Sequence, residues 1–170
     1  MDVPKVFAIA IAKALHSFKG IKRRFSYQIK TEKLVYIDDY AHHPTEINAV
    51  FQAVSELYSN EKVLAIFQPH LFSRTRDFID DFAESLSQFN ETILLDIYPA
   101  RELPIEGVNS EWLLTKMTNK NKKLVVKENL IDAIKNSDAK IIVTIGAGDI
   151  GEMVDDIKNA LLKKIKKQFE

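Results

Sequence analysis

The sequence predicts an α/β domain built on a doubly wound, mostly parallel sheet with helices on both faces. Short apolar runs alternate with amphipathic helical stretches along most of the chain. That alternation is the signature of βαβ units, whose crossover connections place consecutive strands in parallel. Unusual polar sequence collects where four of the apolar runs end. In open α/β sheets, ligands bind at that carboxyl edge.

The elements follow in order. Val3 to Phe18 reads as a helix, with Pro4 suited to its first turn. Its apolar residues Val6, Phe7, Ile9, Ile11 and Leu15 cover several faces, as in a helix that lies buried. Nothing downstream looks able to bury it, so it is expected to belong to a domain upstream. Phe18 to Phe25, F-K-G-I-K-R-R-F, is a basic connector with a glycine hinge. Phe25 to Ile29 and Leu34 to Ile37 read as strands joined by a polar turn. Pro44 to Tyr58 is a helix with its stripe at Ile47, Val50, Phe51, Val54 and Leu57. Strands are expected at 63–67, 92–97, 124–126 and 141–145, and helices at 77–89, 110–117, 130–136 and 150–167.

Composition narrows the function classes. The 170 residues suit one domain plus a little, and an apolar share of 46 % supports a packed core rather than disorder. Lys plus Arg and Asp plus Glu both number 24, so the balance gives no reason to expect nucleic acid or an anionic membrane as partner. The absence of Cys excludes disulfides, thiolate metal sites and thiol nucleophiles. No signal peptide is visible at the N-terminus, and the stretch from Val6 to Leu15 falls short of the roughly 20 residues of a membrane span. A cytoplasmic location fits.

The chemistry lies at the strand ends. One run leads into Asp38-Asp-Tyr-Ala-His-His-Pro-Thr-Glu-Ile47. A second leads into Gln68-Pro69-His70, with Ser73, Arg74, Thr75 and Arg76 beyond. A third leads into Tyr98-Pro-Ala-Arg101-Glu102, and the fourth into Gly146-Ala-Gly148-Asp149. This mixture of guanidinium, imidazole and carboxylate groups suits a small anion bound near a metal ion or ammonium group. Blander roles stay open for each. Asp38 and Asp39 could serve as negative charge at a helix N-terminus, and Arg74 and Arg76 could be solvated. His42 and His43 are adjacent, so their side chains diverge, and no H-E-x-x-H spacing supports zinc. No metal ligands are assigned. G-A-G-D-I-G matches the G-x-G-x-x-G pattern. It lacks the following strand and acidic residue of a dinucleotide site, so it reads as a tight strand-to-helix turn. No G-x-x-x-x-G-K-[ST] loop occurs, so any ATP phosphate cradle would lie outside this chain.

Together D-D-Y-A-H-H-P-T-E-I, F-Q-P-H-L-F-S-R-T-R, Y-P-A-R-E-L-P-I-x-G-V and G-A-G-D-I-G resemble, in identity and order, the Mur ligases. Tyr40 and Glu46 favour the branch that adds L-alanine to UDP-N-acetylmuramate over the related tripeptide-recycling ligases. The resemblance covers nearly the whole chain. It implies a Rossmann-like C-terminal domain at residues 25–170. It also implies that residues 1–24 are the tail helix of a central ATPase domain plus a hinge. The intact ligase would use ATP and Mg²⁺, held mainly by that central domain, to activate the muramoyl carboxylate as an acyl phosphate. The amine of L-alanine would then attack it during peptidoglycan precursor synthesis.

The resemblance also implies roles. Arg24 reaches the ATP phosphates from the hinge, and Asp39 sits beside nucleotide and metal. Tyr40, His42, His70 and Arg74 surround L-alanine, with Arg74 matching its carboxylate fork. The family often has Arg-Tyr where Leu71-Phe72 stands here, so Arg74 or Arg76 must take over a lost contact. UDP-N-acetylmuramate, L-alanine and ATP are the implied partners, and a homo-oligomer is compatible with them. A chain of this kind is expected to be inactive alone. The rival expectation is a stand-alone regulatory module binding a nucleotide or small anion.

Overall fold

A computed structural model of the chain describes residues 5–17 and 20–167. The expectations for Val3, Pro4 and Phe18 lie outside the described residues. Helix α1 (Lys5–Ser17) is followed by strands β1 (Ser26–Lys30) and β2 (Val35–Asp39) and helix α2 (Pro44–Leu57). Then come β3 (Val63–Phe67), α3 (Phe72–Asp77), α4 (Ile79–Ser87), β4 (Glu91–Leu94), α5 (Ser110–Lys116), β5 (Asn121–Leu124) and α6 (Lys127–Lys135). Strand β6 (Ile141–Ile145) leads through a 3₁₀ turn (Asp149–Met153) into α7 (Val154–Lys167).

The six strands form one sheet in the order β1-β2-β6-β3-β4-β5. Only the β1–β2 pair is antiparallel. The doubly wound, mostly parallel α/β expectation therefore holds. Strand residues alternate between two cores, as the period of two requires. Val63, Ala65 and Phe67 join Ile47, Val54, Phe82 and Leu86 on one face. Leu64, Ile66 and Ile142 join Leu130, Ile134, Ile157 and Leu161 on the other. Both faces being covered explains why β2, β3 and β6 are uninterrupted runs of buried residues.

Several boundaries differ from expectation, each for a physical reason. Strand β2 continues through Asp38 and Asp39, which pair with Thr144 and Ile145 of β6. Neither Asp serves the N-terminus of α2. That end is closed by Glu46, whose Oε2 accepts the backbone N–H groups of His42 and His43 at 2.8 and 3.2 Å. The helix expected at 77–89 begins earlier and breaks at Phe78, giving α3 and α4. Strand β5 begins three residues before the expected 124–126 and overlaps it only at Leu124. It is a lysine-bearing edge strand, and edge strands tolerate polar sequence that hides their pattern.

Helix α1 does not pack into the domain as a buried helix would. Phe7, Ile9, Ile11 and Leu15 are all more than half exposed.

Candidate functional site

The register across the sheet builds the site. Asp39, Ile145 and Phe67 lie level on β2, β6 and β3. The segments that follow all leave from one edge. β6 leads to α7 on one face, while β2 and β3 lead to helices on the other. Diverging connections open a crevice there, at the switch point of the topology.

A line of rings crosses this crevice. Tyr40 meets His42 edge-on at 5.4 Å, His42 lies 6.0 Å from His70, and His70 stacks on Tyr98 at 5.6 Å. An isolated β-bridge joins His70 to Tyr98 and draws the third strand end into the group. Arg74, one helical turn after His70, brings Nη1 to 3.4 Å from His70 Nδ1. A guanidinium only donates, so this contact leaves Nδ1 as the acceptor of a neutral imidazole. Burial pushes the His70 pKa down, and the nearby Arg74 and His42 push it the same way. Arg74 is half-buried and has no carboxylate hydrogen-bonded to it among the described residues.

The turn carrying these groups is strained. Leu71 has φ 75°, which a bulky residue rarely adopts, and Ala100 on the facing loop has φ 52°. Such outliers persist where surrounding contacts over-determine them. The N–H of Leu71 donates to Tyr98 O at 3.0 Å. Glu102 accepts the Ser73 N–H at 2.9 Å and also the Ser73 hydroxyl. Those bonds hold the Glu102 carboxyl below its usual range.

The hinge closes the other end. Asp39 is buried, and its two oxygens accept the N–H groups of Phe25 (2.7 Å) and Ala41 (2.8 Å). Arg24 is about half exposed, 3.8 Å from Glu46, with its guanidinium 5.7 Å from the Tyr40 ring centre. Burial would raise the Glu46 pKa, but the His42 N–H and the charges of His42 and Arg24 outweigh it, and the net shift is downward.

The structure thus brings Tyr40, His42, His70 and Arg74 into one cluster and sets Arg24 and Asp39 beside it. It leaves Arg76 out: that side chain pairs with Asp77 at 2.7 Å on the surface. His42 and His43 diverge. His42 Nδ1 lies 2.9 Å from Tyr40 O, and the His43 ring packs on Phe78. Among the described residues no group of three or more acidic or imidazole side chains is disposed to hold a metal. Three participants went unassigned in the sequence: Arg23, Gln68 and Tyr98. Their signal was adjacency, since each abuts an assigned residue or lies inside a strand-end motif.

The glycine turn after β6 is filled by protein. Gly146 has φ 148°, and an added Cβ would lie 2.9 Å from Gln68 O. A Cβ on Gly148 would lie 2.8 Å from the Tyr98 Cβ and 2.9 Å from the Gln68 carboxamide carbon. The Gln68 side chain donates to Asp149 Oδ1 at 2.7 Å and accepts the Ile150 N–H at 2.9 Å. Asp149 also pairs with Lys127. A groove of about 700 Å³ between α6 and α7 lies away from this edge.

A family model described as Mur ligase, glutamate ligase domain, matches residues 23–150. The chain belongs to the Mur ligase family. Curated relatives of this Mur ligase domain include UDP-N-acetylmuramate–L-alanine ligases of Flavobacterium johnsoniae (74 % identical over 156 residues) and Flavobacterium psychrophilum (75 % over 155). The alignments cover 92 % and 91 % of the chain but only 35 % of each relative, so the chain spans about a third of their length. Among solved structures, a UDP-N-acetylmuramate-alanine ligase of Thermotoga maritima matches with a TM-score of 0.66 at 24 % identity, over 96 % of this chain and 36 % of that one. A murein peptide ligase of Psychrobacter arcticus also scores 0.66, at 21 % identity, over 88 % and 32 %. At these identities the two likenesses speak for the Mur ligase domain fold alone.

Proposed function

We propose that this chain is the C-terminal, amino-acid-presenting domain of an ATP-dependent ligase that joins L-alanine to UDP-N-acetylmuramate in the cytoplasm. The observation that carries the proposal is the Arg74–His70 pair. A half-buried guanidinium with no hydrogen-bonded carboxylate among the described residues faces a neutral imidazole on the crevice edge, where a planar carboxylate would complete it. His42 and Tyr40 would flank the amine side. The identities to alanine-adding relatives support the choice of amino acid.

In this reading residues 1–24 are the tail helix of a preceding central domain plus the hinge, and 25–170 form the presenting domain. The exposed apolar residues of α1 support that division, because such a face normally lies against a partner. ATP and Mg²⁺ would bind mainly on the central domain. Arg24 would reach the transferred phosphate, and Asp39 would hold the connector so that Arg24 can do so. The muramoyl carboxylate oxygen would take the γ-phosphoryl group, releasing ADP. The alanine amine would then attack the acyl carbon, expelling phosphate and forming the amide.

The test is phosphate release in the presence of ATP, UDP-N-acetylmuramate and L-alanine. The full-length ligase is expected to turn over only when alanine is supplied, and the present chain alone is expected to be inactive. Turnover by this chain, free of contaminating ligase, would overturn the reading.

A further inference from the structure

The connector carries two consecutive arginines, and the structure gives them different partners: Asp38 for Arg23 and Glu46 for Arg24. Arg23 turns inward with φ 58°, and Phe25 follows with φ 46°. Arg23 Nε donates to Asp38 Oδ2 at 3.0 Å, and Nη2 donates to Gly146 O at 2.6 Å. Its carbonyl accepts the Tyr40 N–H at 2.8 Å, and its guanidinium lies 5.1 Å from the Tyr40 ring centre. Asp38 is fully buried, and its other oxygen accepts the Thr144 hydroxyl at 2.8 Å; that hydroxyl lies 3.2 Å from the Tyr36 hydroxyl. A polar chain thus runs from the sheet interior to the hinge. The guanidinium also needs Gly151, where a Cβ would lie 2.5 Å from Arg23 Cζ and 3.0 Å from Nε.

We propose that Arg23 is a positioning residue, a latch that fixes the connector to the ends of β2 and β6 and thereby sets the outward direction of Arg24. The two aspartates act on different parts of the connector. Asp38 holds the Arg23 side chain, and Asp39 holds the backbone at Phe25. With residues 23 and 25 both pinned, Arg24 between them has one course, toward Tyr40 and Glu46. Gly151, the last glycine of G-A-G-D-I-G, is then a seat for a protein guanidinium. The catalytic consequence of the latch rests on the ligase reading; the latch itself does not.

Two measurements separate them. In this chain labelled with ¹⁵N-arginine, the Arg23 Nε–H should exchange with solvent at least about tenfold more slowly than that of exposed Arg24. Gly151→Ala should abolish the difference and shift the Tyr40 ring resonances, although residue 151 lies far from both in sequence. In the full-length ligase, Gly151→Ala should lower kcat on the order of tenfold to a hundredfold, the scale of an ångström-level misplacement. The KM for L-alanine should rise by less than kcat falls, because Tyr40 is the member of the alanine cluster that the hinge contacts. Arg23→Lys should recover part of the turnover lost in Arg23→Gln. Equal exchange for the two arginines would overturn the latch. So would a Gly151→Ala ligase with normal turnover and a displaced Arg23 signal. A wild-type ligase that released no phosphate would overturn the ligase reading and leave the exchange result to decide the latch.

Discussion

Gly148→Ala is expected to destabilise the domain without touching any ligand. The backbone is not the obstacle, since Gly148 has φ −84°. A compatible Gly-to-Ala change would by itself stabilise by about 0.4 to 1 kcal/mol through the unfolded chain. The obstacle is space: the new methyl would sit 2.8 Å from the Tyr98 Cβ and 2.9 Å from the Gln68 carboxamide carbon. Overpacking of this kind costs about 1 to 3 kcal/mol. If Gln68 swings away instead, Ile150 N–H loses its buried partner, at about 1 to 3 kcal/mol. Asp149 would keep Lys127, so its loss is the smaller one. Either cost less that gain leaves about 1 to 2 kcal/mol, which lowers the Tm by roughly 2 to 8 °C in a chain of this size. Thermal or urea unfolding of the chain measures it. A cycle with Gln68→Ala should show coupling, because removing the carboxamide relieves part of the clash. A Gly148→Ala domain within about 0.5 kcal/mol of wild type would refute the packing role of this turn.

Other expectations concern the crevice. Arg24→Ala should leave stability nearly unchanged, within about 0.5 kcal/mol, because its side chain is half exposed. In the full-length ligase the same change should cost roughly 3 to 4 kcal/mol of transition-state stabilisation, read as a fall in kcat with ATP saturating. His70 should titrate below 6.5 in an NMR experiment, because burial and then Arg74 and His42 disfavour its charged form. A base depressed on folding binds fewer protons folded than unfolded. Stability should therefore be complete above pH 6.5 and fall as the pH drops from there through the folded value. His70→Gln should flatten that part of the pH–stability curve; an unchanged slope would remove His70 as its source.

Much of the fold was legible because the sheet is covered on both faces. Buried parallel strands such as 63–67 and 141–145 appear as bare apolar runs, and their bounds matched residue for residue. The stripe of α2 was plain as far as Val54, while Leu57 at the helix end is exposed. Elements failed where burial no longer writes a pattern. Strand β5 lies on the edge and carries lysines, while α3 buries little beyond Thr75. The cluster of Tyr40, His42, His70 and Arg74 could be read from the strand ends, since topology alone brings those ends together. The division of labour between Arg23 and Arg24 could not. Two adjacent arginines look alike in sequence, and a positive φ at Arg23, fixed by a carboxylate on β2 and a carbonyl after β6, decides which one turns inward. The continuation of β2 through both aspartates was hidden for a similar reason. Charged residues end a strand pattern on paper, yet here buried Asp38 is satisfied by buried Thr144 and half-buried Arg23.

If the His70–Arg74 edge receives the carboxylate of the incoming amino acid, Arg74→Ala in the full-length ligase should weaken its use of alanine and spare its use of ATP. Truncating one partner of a buried charge pair costs about 2 to 5 kcal/mol. Arg74 is only half-buried, so the low end applies. Saturation curves for L-alanine and for ATP should then show a KM for alanine raised at least about tenfold and a KM for ATP nearly unmoved. Arg74→Lys should restore only part of the loss, since an ammonium lacks the two-pronged geometry. An unchanged alanine curve, or a shift confined to ATP, would contradict the account.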